Sequence, residues 1–402
     1  MAVRTKCSAR LLRVHSWNCE PMDFHLNEEQ QMLKDSVRRY LADHCGFEKR
    51  HELVARGSFD AERWATMAEL GWLGMALPES HGGLGGNEID TAILMEAMGE
   101  VLFVEPFWAI AVLAGQTLAA LGDDAQAKAL VEQLVVGAAR PVVAHGEAQA
   151  RGNLSWVETT ASSIEGERWR INGNKSAVVG GNVADCFLVS ARTASEVSDA
   201  QGISLFVIKR DTPGLVIRDV RMIDNRWCAD ISLHDVVLDR AQLLGPVGGA
   251  ADALQIGADH ALLAACAEAV GVADRALWIT RDYLKVRKQF GVTLSTFQSL
   301  QHRMSEMLIE LELARCMVFQ ALAAMPQERQ AREAALRAAK VHVGRSTRFV
   351  CAQAIQLHGG IGVTDEYVVG HHFKRITTFE NLLGSSHYHL EQLAERERIV
   401  VG

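Results

Sequence analysis

The sequence predicts a mainly α-helical protein with a β domain in its middle, and three observations support this fold class. Apolar residues recur at three- and four-residue steps over residues 22–138, as on the buried face of a helix. Short apolar runs separated by polar or glycine turns fill residues 139–245, which is typical of strands in a barrel or sandwich. Long helical patterns with short connections return over residues 246–402 and indicate a four-helix bundle.

Length and charge narrow the possible functions. The chain has 402 residues, 49% of them hydrophobic, so it can bury a large core spread over several domains. Its net charge of −8 argues against a nucleic-acid partner. No apolar run reaches the ~18 residues that a transmembrane helix needs, so we expect no membrane insertion. The eight cysteines lie scattered without a CxxC pair, which favours reduced thiols in the cytoplasm over a disulfide framework or zinc site.

The first 21 residues differ from the rest of the chain. They carry four basic residues and no acidic residue before Glu20. Such a segment could target the protein to an organelle, but it lacks the amphipathic repeat of transit peptides. We therefore interpret residues 1–21 as a disordered or misassigned N-terminal extension that precedes the first domain.

The first domain is predicted to consist of helices. From Asn27 onward, Leu33, Val37 and Leu41 share one face of a helix whose other face is charged. The sequence PESHGGLGG at residues 78–86 predicts a turn, because its proline and glycines disfavour helix. Further helices are predicted over residues 59–70, 89–102, 106–121 and 125–136.

The middle domain is predicted from its short apolar runs. Strands are expected at residues 141–144, 169–171, 177–179, 186–189, 204–208 and 215–217. Asn172-Gly173 stands between two of these runs, and this dipeptide favours a two-residue hairpin turn.

The last domain should hold four long helices. They are predicted over residues 250–289, from 297 past 317, over 330–357, and within 356–389. The glycines of QLHGGIG, at Gly359, Gly360 and Gly362, fall between two of these helices. Glycines there either cap a helix or allow a phosphate to approach the backbone.

Several strings, in this order along the chain, resemble the acyl-CoA dehydrogenase family. INGNKSAVVGGNVAD at residues 171–185 resembles the family's NGxKxWITNGxxAD, and RKQFG at 287–291, followed by Gln298, resembles RxxFGxxxxxxQ. QLHGGIG with Glu366-Tyr367 resembles QxxGGxGxxxEY, and MAELGWLGMALPESHGGLG at 67–85 resembles the N-terminal helix and loop. The resemblance implies the family's three-domain fold, FAD, and acyl-CoA thioesters as substrates. In this family a carboxylate removes the α-proton and flavin N5 takes the β-hydride.

The resemblance also implies which residues contact the cofactor. Arg287 offers a planar set of donors suited to a pyrophosphate. In the family, the equivalents of Arg287, Phe290 and Gln298 reach the FAD of a neighbouring subunit, and the glycine turn brings backbone amides to the same dinucleotide. The cofactor-binding residues are therefore expected to be Arg287, Phe290, Gln298, Gln356, Gly359 and Gly360.

The part of the family's site that holds the flavin ring is altered in this sequence. The family's TEPxAGSD aligns with residues 146–153, GEAQARGN, which lack the threonine and proline. The family's WIT aligns with Ala177-Val178-Val179, and an alanine there offers little surface for stacking on a ring.

Both positions at which the family places its catalytic base are aliphatic. The glutamate of YEGT aligns with Leu383, and the glutamate of LDxER aligns with Ala261. Glu380 is the nearest candidate carboxylate, about one turn before Leu383 if a helix continues there. A solvent or interface role for Glu380 is the alternative. The spacings of His371, His372, His387 and His389 do not favour a metal site.

Three hypotheses follow from the sequence. The first is a base-lacking subunit of a heteromeric acyl-CoA dehydrogenase, which completes the FAD site of a homologous partner subunit in a heterotetramer. The stretch GHHFKR…FENLLGSSHYHL resembles small subunits of bacterial enzymes for pimeloyl-CoA or steroid side-chain thioesters. The second is a self-sufficient homo-oligomer that uses Glu380. The third is a non-catalytic protein that binds CoA thioesters or serves as an interaction partner.

Overall fold

The computed structural model describes residues 25–401, with side chains through residue 396. The predicted extension at residues 1–21 lies outside the described residues. The N-terminal part holds α1 (Glu28–His44), α2 (Phe47–Ala55), α3 (Ala61–Glu69), α4 (Glu88–Glu100), a π-helical segment (Trp108–Ala114), α5 (Gly115–Ala119) and α6 (Ala125–Val135).

Helix α1 confirms the predicted apolar face. Asn27 begins the helix because its side chain accepts a hydrogen bond from the Gln30 amide at 2.8 Å, while Gln30 returns one to the Asn27 amide. Val37 and Leu41 are fully buried. Helix α2 was not predicted. The predicted helix over residues 106–121 forms a π-helical segment followed by α5, and nearly all of its side chains are buried.

The middle domain is one eight-stranded sheet, and this confirms the predicted β domain. Its strands are β1 (Pro141–Ala144), β2 (Thr160–Ile164), β3 (Arg168–Val179), β4 (Cys186–Arg192), β5 (Ile203–Lys209), β6 (Leu215–Arg221), β7 (Trp227–Leu238) and β8 (Leu243–Leu244). The hydrogen-bonded order is β6-β7-β3-β2-β4-β5-β8, and β1 pairs in parallel with β4.

The prediction of a hairpin at Asn172-Gly173 was wrong. Both residues lie inside the single strand β3, where the register against β7 shifts between Ile171 and Gly173. A Cβ on Gly173 would lie 2.5 Å from Oγ1 of Thr159, so the glycine permits a close approach and not a turn. The Asn172 side chain accepts a hydrogen bond from the amide of Asp235 at 2.7 Å. Strands β2 and β7 were not predicted.

The C-terminal part contains five long helices among the described residues, one more than predicted. They are α7 (Ala251–Val286), α8 (Gln298–Ala324), α9 (Arg329–His358), α10 (Val368–Asn381) and α11 (Ser386–Val401). Helix α7 ends at Val286 and not at Gln289. The chain then forms a small hairpin of β9 (Lys288–Gln289) and β10 (Val292–Thr293), whose turn residues Phe290 and Gly291 have φ of 55° and 83°.

A network of buried ion pairs joins the three parts of the chain. Asp224 lies in the turn between β6 and β7, Glu268 lies in α7 and Arg375 lies in α10. Nε of Arg226 lies 2.7 Å from Oδ2 of Asp224, and Nη1 of the same arginine lies 3.3 Å from Oε2 of Glu268. Arg375 pairs with both carboxylates and donates to the carbonyl of Phe103 at 2.8 Å. We call Asp224, Arg226, Glu268 and Arg375 the interdomain ion network.

The opposite charges of the interdomain ion network keep its buried groups ionised. Burial alone would raise the pKa of Asp224, but the guanidinium groups of Arg226 and Arg375 outweigh it and hold that pKa below its ordinary value. Arg50 of α2 joins the same region, since its Nη2 donates to the Asp224 carbonyl at 3.0 Å. The network therefore connects the N-terminal helices, the sheet and the bundle.

The cysteines and the helices of the described residues relate to the expectations of reduced thiols and of no membrane insertion. The six cysteines between residues 25 and 401 are free thiols, whereas Cys7 and Cys19 lie outside the described residues. Of the helices within residues 25–401, none combines the length and the apolar character needed to cross a membrane.

We expect Glu268→Gln to lower the free energy of unfolding by about 3 kcal/mol, because it leaves two buried guanidinium groups with one carboxylate. The shift of the urea midpoint measures this loss. Glu312→Gln is the matched control, since Glu312 is a helical glutamate with a 56% exposed side chain and a 3.7 Å pair to Arg315. Equal midpoints for the two variants would contradict the role assigned to the network.

Candidate functional site

A cavity of about 390 Å³ lies where the three parts of the chain meet. Its walls come from the π-helical segment, the β-domain stretches 143–155 and 176–179, helices α7, α9 and α11, and the turn at 381–384. Apolar side chains cover much of the surface, among them Trp108, Leu113, Leu254, Leu262 and Leu336. A mostly apolar concave surface with a few polar groups is typical of a binding site for a small organic molecule.

A buried ion pair fixes the β-domain wall of the cavity. Nζ of Lys175 lies 2.7 Å from Oε1 of Glu147, and both side chains are almost wholly buried. Burial lowers the pKa of Lys175 to about 8, although the Glu147 carboxylate opposes this shift. Glu147 also accepts hydrogen bonds from the amide and the hydroxyl of Thr159, at 3.0 and 2.7 Å. These contacts hold the loop that begins at Gly146.

Two histidines in the cavity wall are buried and neutral. Nδ1 of His145 lies 2.8 Å from the hydroxyl of Ser190, and Nε2 of His389 lies 2.8 Å from the carbonyl oxygen of Leu383. Burial lowers the pKa of His145 to about 3 and that of His389 to about 4. Within residues 25–396, the other ring nitrogen of each has no hydrogen-bond partner. His145 was not singled out from the sequence, and His389 was considered only as part of a histidine cluster whose spacing does not favour a metal site.

The other three histidines that were considered for a metal site do not share one environment in the structure. His371 and His372 are buried on α10, whereas the side chain of His387 on α11 is 80% exposed. Within the described part of the chain, no group of three or more His, Cys, Asp or Glu residues is placed to hold a metal ion.

Buried neutral histidines should make the fold sensitive to acid. The pKa of His372 falls to about 3 on burial, whereas an unfolded histidine titrates near ~6.5. The unfolded chain therefore binds more protons between these values, and stability falls as the pH drops from about 6.5 toward 4. For His372 alone the loss at pH 4 is on the order of 3 kcal/mol.

The test of this prediction is His372→Gln. The slope of the unfolding free energy against pH, measured by urea titration between pH 4 and 6.5, should correspond to about one proton fewer than in the wild type. His387→Gln, at an exposed position of α11, should leave the slope unchanged. An unchanged slope for His372→Gln as well would show that the pKa of His372 is the same in the folded and the unfolded chain, which would contradict the prediction.

The residue that the sequence aligns with the family's usual base, Leu383, lies in the cavity wall. Leu383 lines the cavity and has φ of 55°, and the next residue, Gly384, has φ of 94°. These two residues form the turn between α10 and α11, so the helix does not continue past Asn381 as supposed in placing Glu380. Ala261 is fully buried in α7 and is not part of the cavity wall.

Glu380 is placed to begin helix α11. Its Oε1 accepts a hydrogen bond from the amide of Ser386 at 2.9 Å, and its Oε2 accepts one from the hydroxyl of Ser386 at 2.8 Å. Its side chain is not among those that line the cavity. The catalytic assignment of Glu380 thus stays a prediction, and these contacts support a helix-capping role instead.

The six residues expected to contact the cofactor lie outside the cavity, on one exposed edge of the bundle. Arg287 and Phe290 belong to the small hairpin, Gln298 begins α8, and Gln356, Gly359 and Gly360 end α9. The ring of Tyr283 stacks on His358 at 4.3 Å and its hydroxyl donates to the His358 carbonyl at 3.3 Å, so the ends of α7 and α9 lie together. We call this set the hairpin edge.

The hairpin edge suits the pyrophosphate and adenosine side of FAD better than the cavity suits its flavin ring. Arg287, Gln298 and Gln356 are exposed donors, and a Cβ on Gly359 or Gly360 would meet nothing within 4 Å, so backbone there is open to a ligand. On the ring side, the Ala177 amide donates to Asp230 at 3.0 Å, and its methyl group offers no stacking surface.

Comparison with known proteins identifies the chain. Three family models match it: the N-terminal domain of acyl-CoA dehydrogenase at residues 27–138, the middle domain at 143–236, and the C-terminal domain at 249–397. The chain belongs to the acyl-CoA dehydrogenase family. FAD is the cofactor of this family, whose members are flavoprotein oxidoreductases. The predicted family, fold class and cofactor are thereby confirmed.

Individual relatives agree with this result. A protein of Bacillus subtilis (strain 168) named "Probable acyl-CoA dehydrogenase YngJ" is 33% identical over 87% of this chain and 92% of its own length. A variant of the Tcur3481-Tcur3483 steroid ACAD superimposes with a TM-score of 0.81 at 31% identity, covering 92% of this chain and 97% of that one. The ChsE4-ChsE5 complex of Mycobacterium tuberculosis matches with a TM-score of 0.83 at 25% identity, covering 94% and 99%.

Proposed function

We propose that this chain is the base-lacking subunit of a heteromeric acyl-CoA dehydrogenase and that it helps to complete the FAD site of a homologous partner subunit. The reaction is the α,β-dehydrogenation of an acyl-CoA thioester. The observation that carries the proposal is Leu383 in the cavity wall, where the family places its carboxylate. An aliphatic side chain cannot accept the α-proton.

The carboxylates that do line the cavity are already engaged. Glu147 is paired with Lys175 at 2.7 Å. Oδ2 of Asp259 lies 2.8 Å from Nε of Arg332, and Oε1 of Glu333 lies 2.7 Å from Nε of Arg329. Each of these carboxylates is therefore oriented toward a basic partner of this chain and not left free beside a substrate. None of the three therefore replaces the missing base without first breaking its pair.

The hairpin edge supports a role toward another subunit. Its tip residue Phe290 is 91% exposed, and the neighbouring Val286 is 74% exposed. Large apolar side chains in such positions mark a surface that another protein covers. Arg287, beside them, is exposed, and in the proposed assembly its guanidinium binds a pyrophosphate of FAD held by the partner. FAD, when bound, supplies the hydride acceptor of the reaction.

The relatives' names support the same proposal. One solved structure is called a complex of ChsE4 and ChsE5, and another, a steroid ACAD, carries the paired name Tcur3481-Tcur3483. By analogy we propose a heterotetramer with a homologous partner, with a homo-oligomer as the alternative. The cytoplasmic location expected from the scattered cysteines stays a prediction.

Flavin content tests the proposal. The full chain is purified alone and after co-expression with an adjacently encoded homologue that carries the carboxylate. Alone, it should hold little FAD and its flavin absorbance should not bleach with acyl-CoA, whereas the complex should hold FAD and bleach. Arg287→Ala in the complex should weaken FAD retention about tenfold or more. Lys288→Ala, the next residue of the hairpin, is the control.

Two results would overturn the proposal. Stoichiometric FAD and full activity of the chain alone would establish a self-sufficient homo-oligomer. The absence of any flavin spectrum with or without a partner would favour a non-catalytic protein that binds CoA thioesters on the same fold.

Glu380→Gln separates the first two hypotheses directly. We expect the variant to leave flavin bleaching in the complex unchanged and to lower the stability of α11, since its amide cannot accept two hydrogen bonds from Ser386 as the carboxylate does. A melting temperature lowered by a few degrees, with unaltered bleaching, would agree with the capping role. Abolished bleaching together with an unchanged melting temperature would instead make Glu380 the base. Ser386→Ala is the control, because it removes one of the same hydrogen bonds and keeps the carboxylate.

A further inference from the structure

One cation in the cavity wall lacks a partner at hydrogen-bond distance. Arg337 lies on α9 and its side chain is 19% exposed. The nearest carboxylate oxygen among the described residues, Oε2 of Glu333, is 3.7 Å from its Nη2, too far for a hydrogen bond. Glu333 already pairs with Arg329 at 2.7 Å. The guanidinium of Arg337 thus donates no hydrogen bond to any residue between 25 and 396.

The phenol of Tyr388 accompanies this cation. Tyr388 lines the cavity from α11, and the Cζ atom of Arg337 lies 5.7 Å from the centre of its ring. This contact orients the guanidinium along the ring. The Tyr388 hydroxyl also donates no hydrogen bond within the described part of the chain, so two groups of donors share one wall.

The surroundings of Arg337 narrow the ligand's chemistry. Leu336, Leu382 and Leu383 line the same cavity, so a ligand here needs an apolar body. A guanidinium offers parallel donors that match the two oxygens of a carboxylate. Arg337 shares its one nearby carboxylate, Glu333, with Arg329, and the 3.7 Å separation leaves its N–H donors without an acceptor among the described residues. A carboxylate on the ligand can accept those donors.

We infer that the cavity of this chain binds an acyl-CoA thioester whose acyl group carries a second, free carboxylate, held by Arg337 and Tyr388. This inference rests on the thioester class of ligand in the proposed function. The absence of a catalytic base does not affect this inference, because it concerns non-covalent binding of the thioester and no covalent bond is formed or broken. The site selects carboxyl-bearing acyl groups over alkyl groups of the same length.

Calorimetric titration of the full-length chain tests the inference. The ligands are glutaryl-CoA against valeryl-CoA, and adipyl-CoA against hexanoyl-CoA, which differ in a carboxylate or a methyl group at the end of the acyl chain. We expect at least one carboxylate ligand to bind about tenfold or more tightly than its methyl counterpart. Arg337→Gln should abolish that preference and leave the methyl ligand unaffected, and Tyr388→Phe should reduce it.

Controls separate this contact from other effects. Arg345→Gln, at an exposed position on the same helix, should keep the preference. Circular dichroism verifies that each variant is folded. Equal affinity for the carboxylate and the methyl ligand in both pairs overturns the inference. An equal loss of affinity for both ligands of a pair in Arg337→Gln also overturns it, because it would indicate that Arg337 contacts the phosphates of CoA. Failure of every thioester to bind also overturns it, whereas the subunit role is judged separately by flavin content after co-expression.

Discussion

The pairing of two buried carboxylates with two buried arginines holds the parts of this chain in one arrangement. Asp224, Glu268 and Arg375 come from the sheet, from α7 and from α10, so both pairs of Arg375 and the pair between Arg226 and Glu268 join segments distant in sequence. Moving any of these segments away would leave a charge unpaired in a low-dielectric interior. The cavity between the segments therefore has walls whose relative positions are set by electrostatics as well as by packing.

The charges around that cavity explain what the site is suited to do. Glu147, Asp259 and Glu333 each have a basic partner within hydrogen-bond distance, whereas Arg337 lies 3.7 Å from Glu333 and donates no hydrogen bond to the described residues. An enzyme that removes a proton needs the opposite pattern, with a carboxylate left free beside the substrate. In the functions proposed above, this wall recognises an anion, and the hairpin edge, on a different surface, contacts a cofactor held by the partner.

The fold class and the family could be predicted because their signals are local in sequence, as in the apolar face of α1 and the string RKQFG. Asn172-Gly173 misled because turn propensity is also local, whereas the close approach of Thr159 that decides its conformation comes from another strand. The place of His145 and Arg337 in the cavity wall could not be predicted for a similar reason. Their importance depends on which partners they have, or lack, after distant segments have packed.

The exposed hairpin has a consequence for the chain before assembly. Phe290 stands at the turn with 91% of its surface in water, and Val286 and Val292 extend the apolar surface beside it. If the chain has the partner proposed above, a copy made in excess of that partner presents this surface to any other unassembled chain, which favours aggregation. For the proposed heteromer, balanced synthesis of the two subunits is therefore a requirement that arises from this one small hairpin.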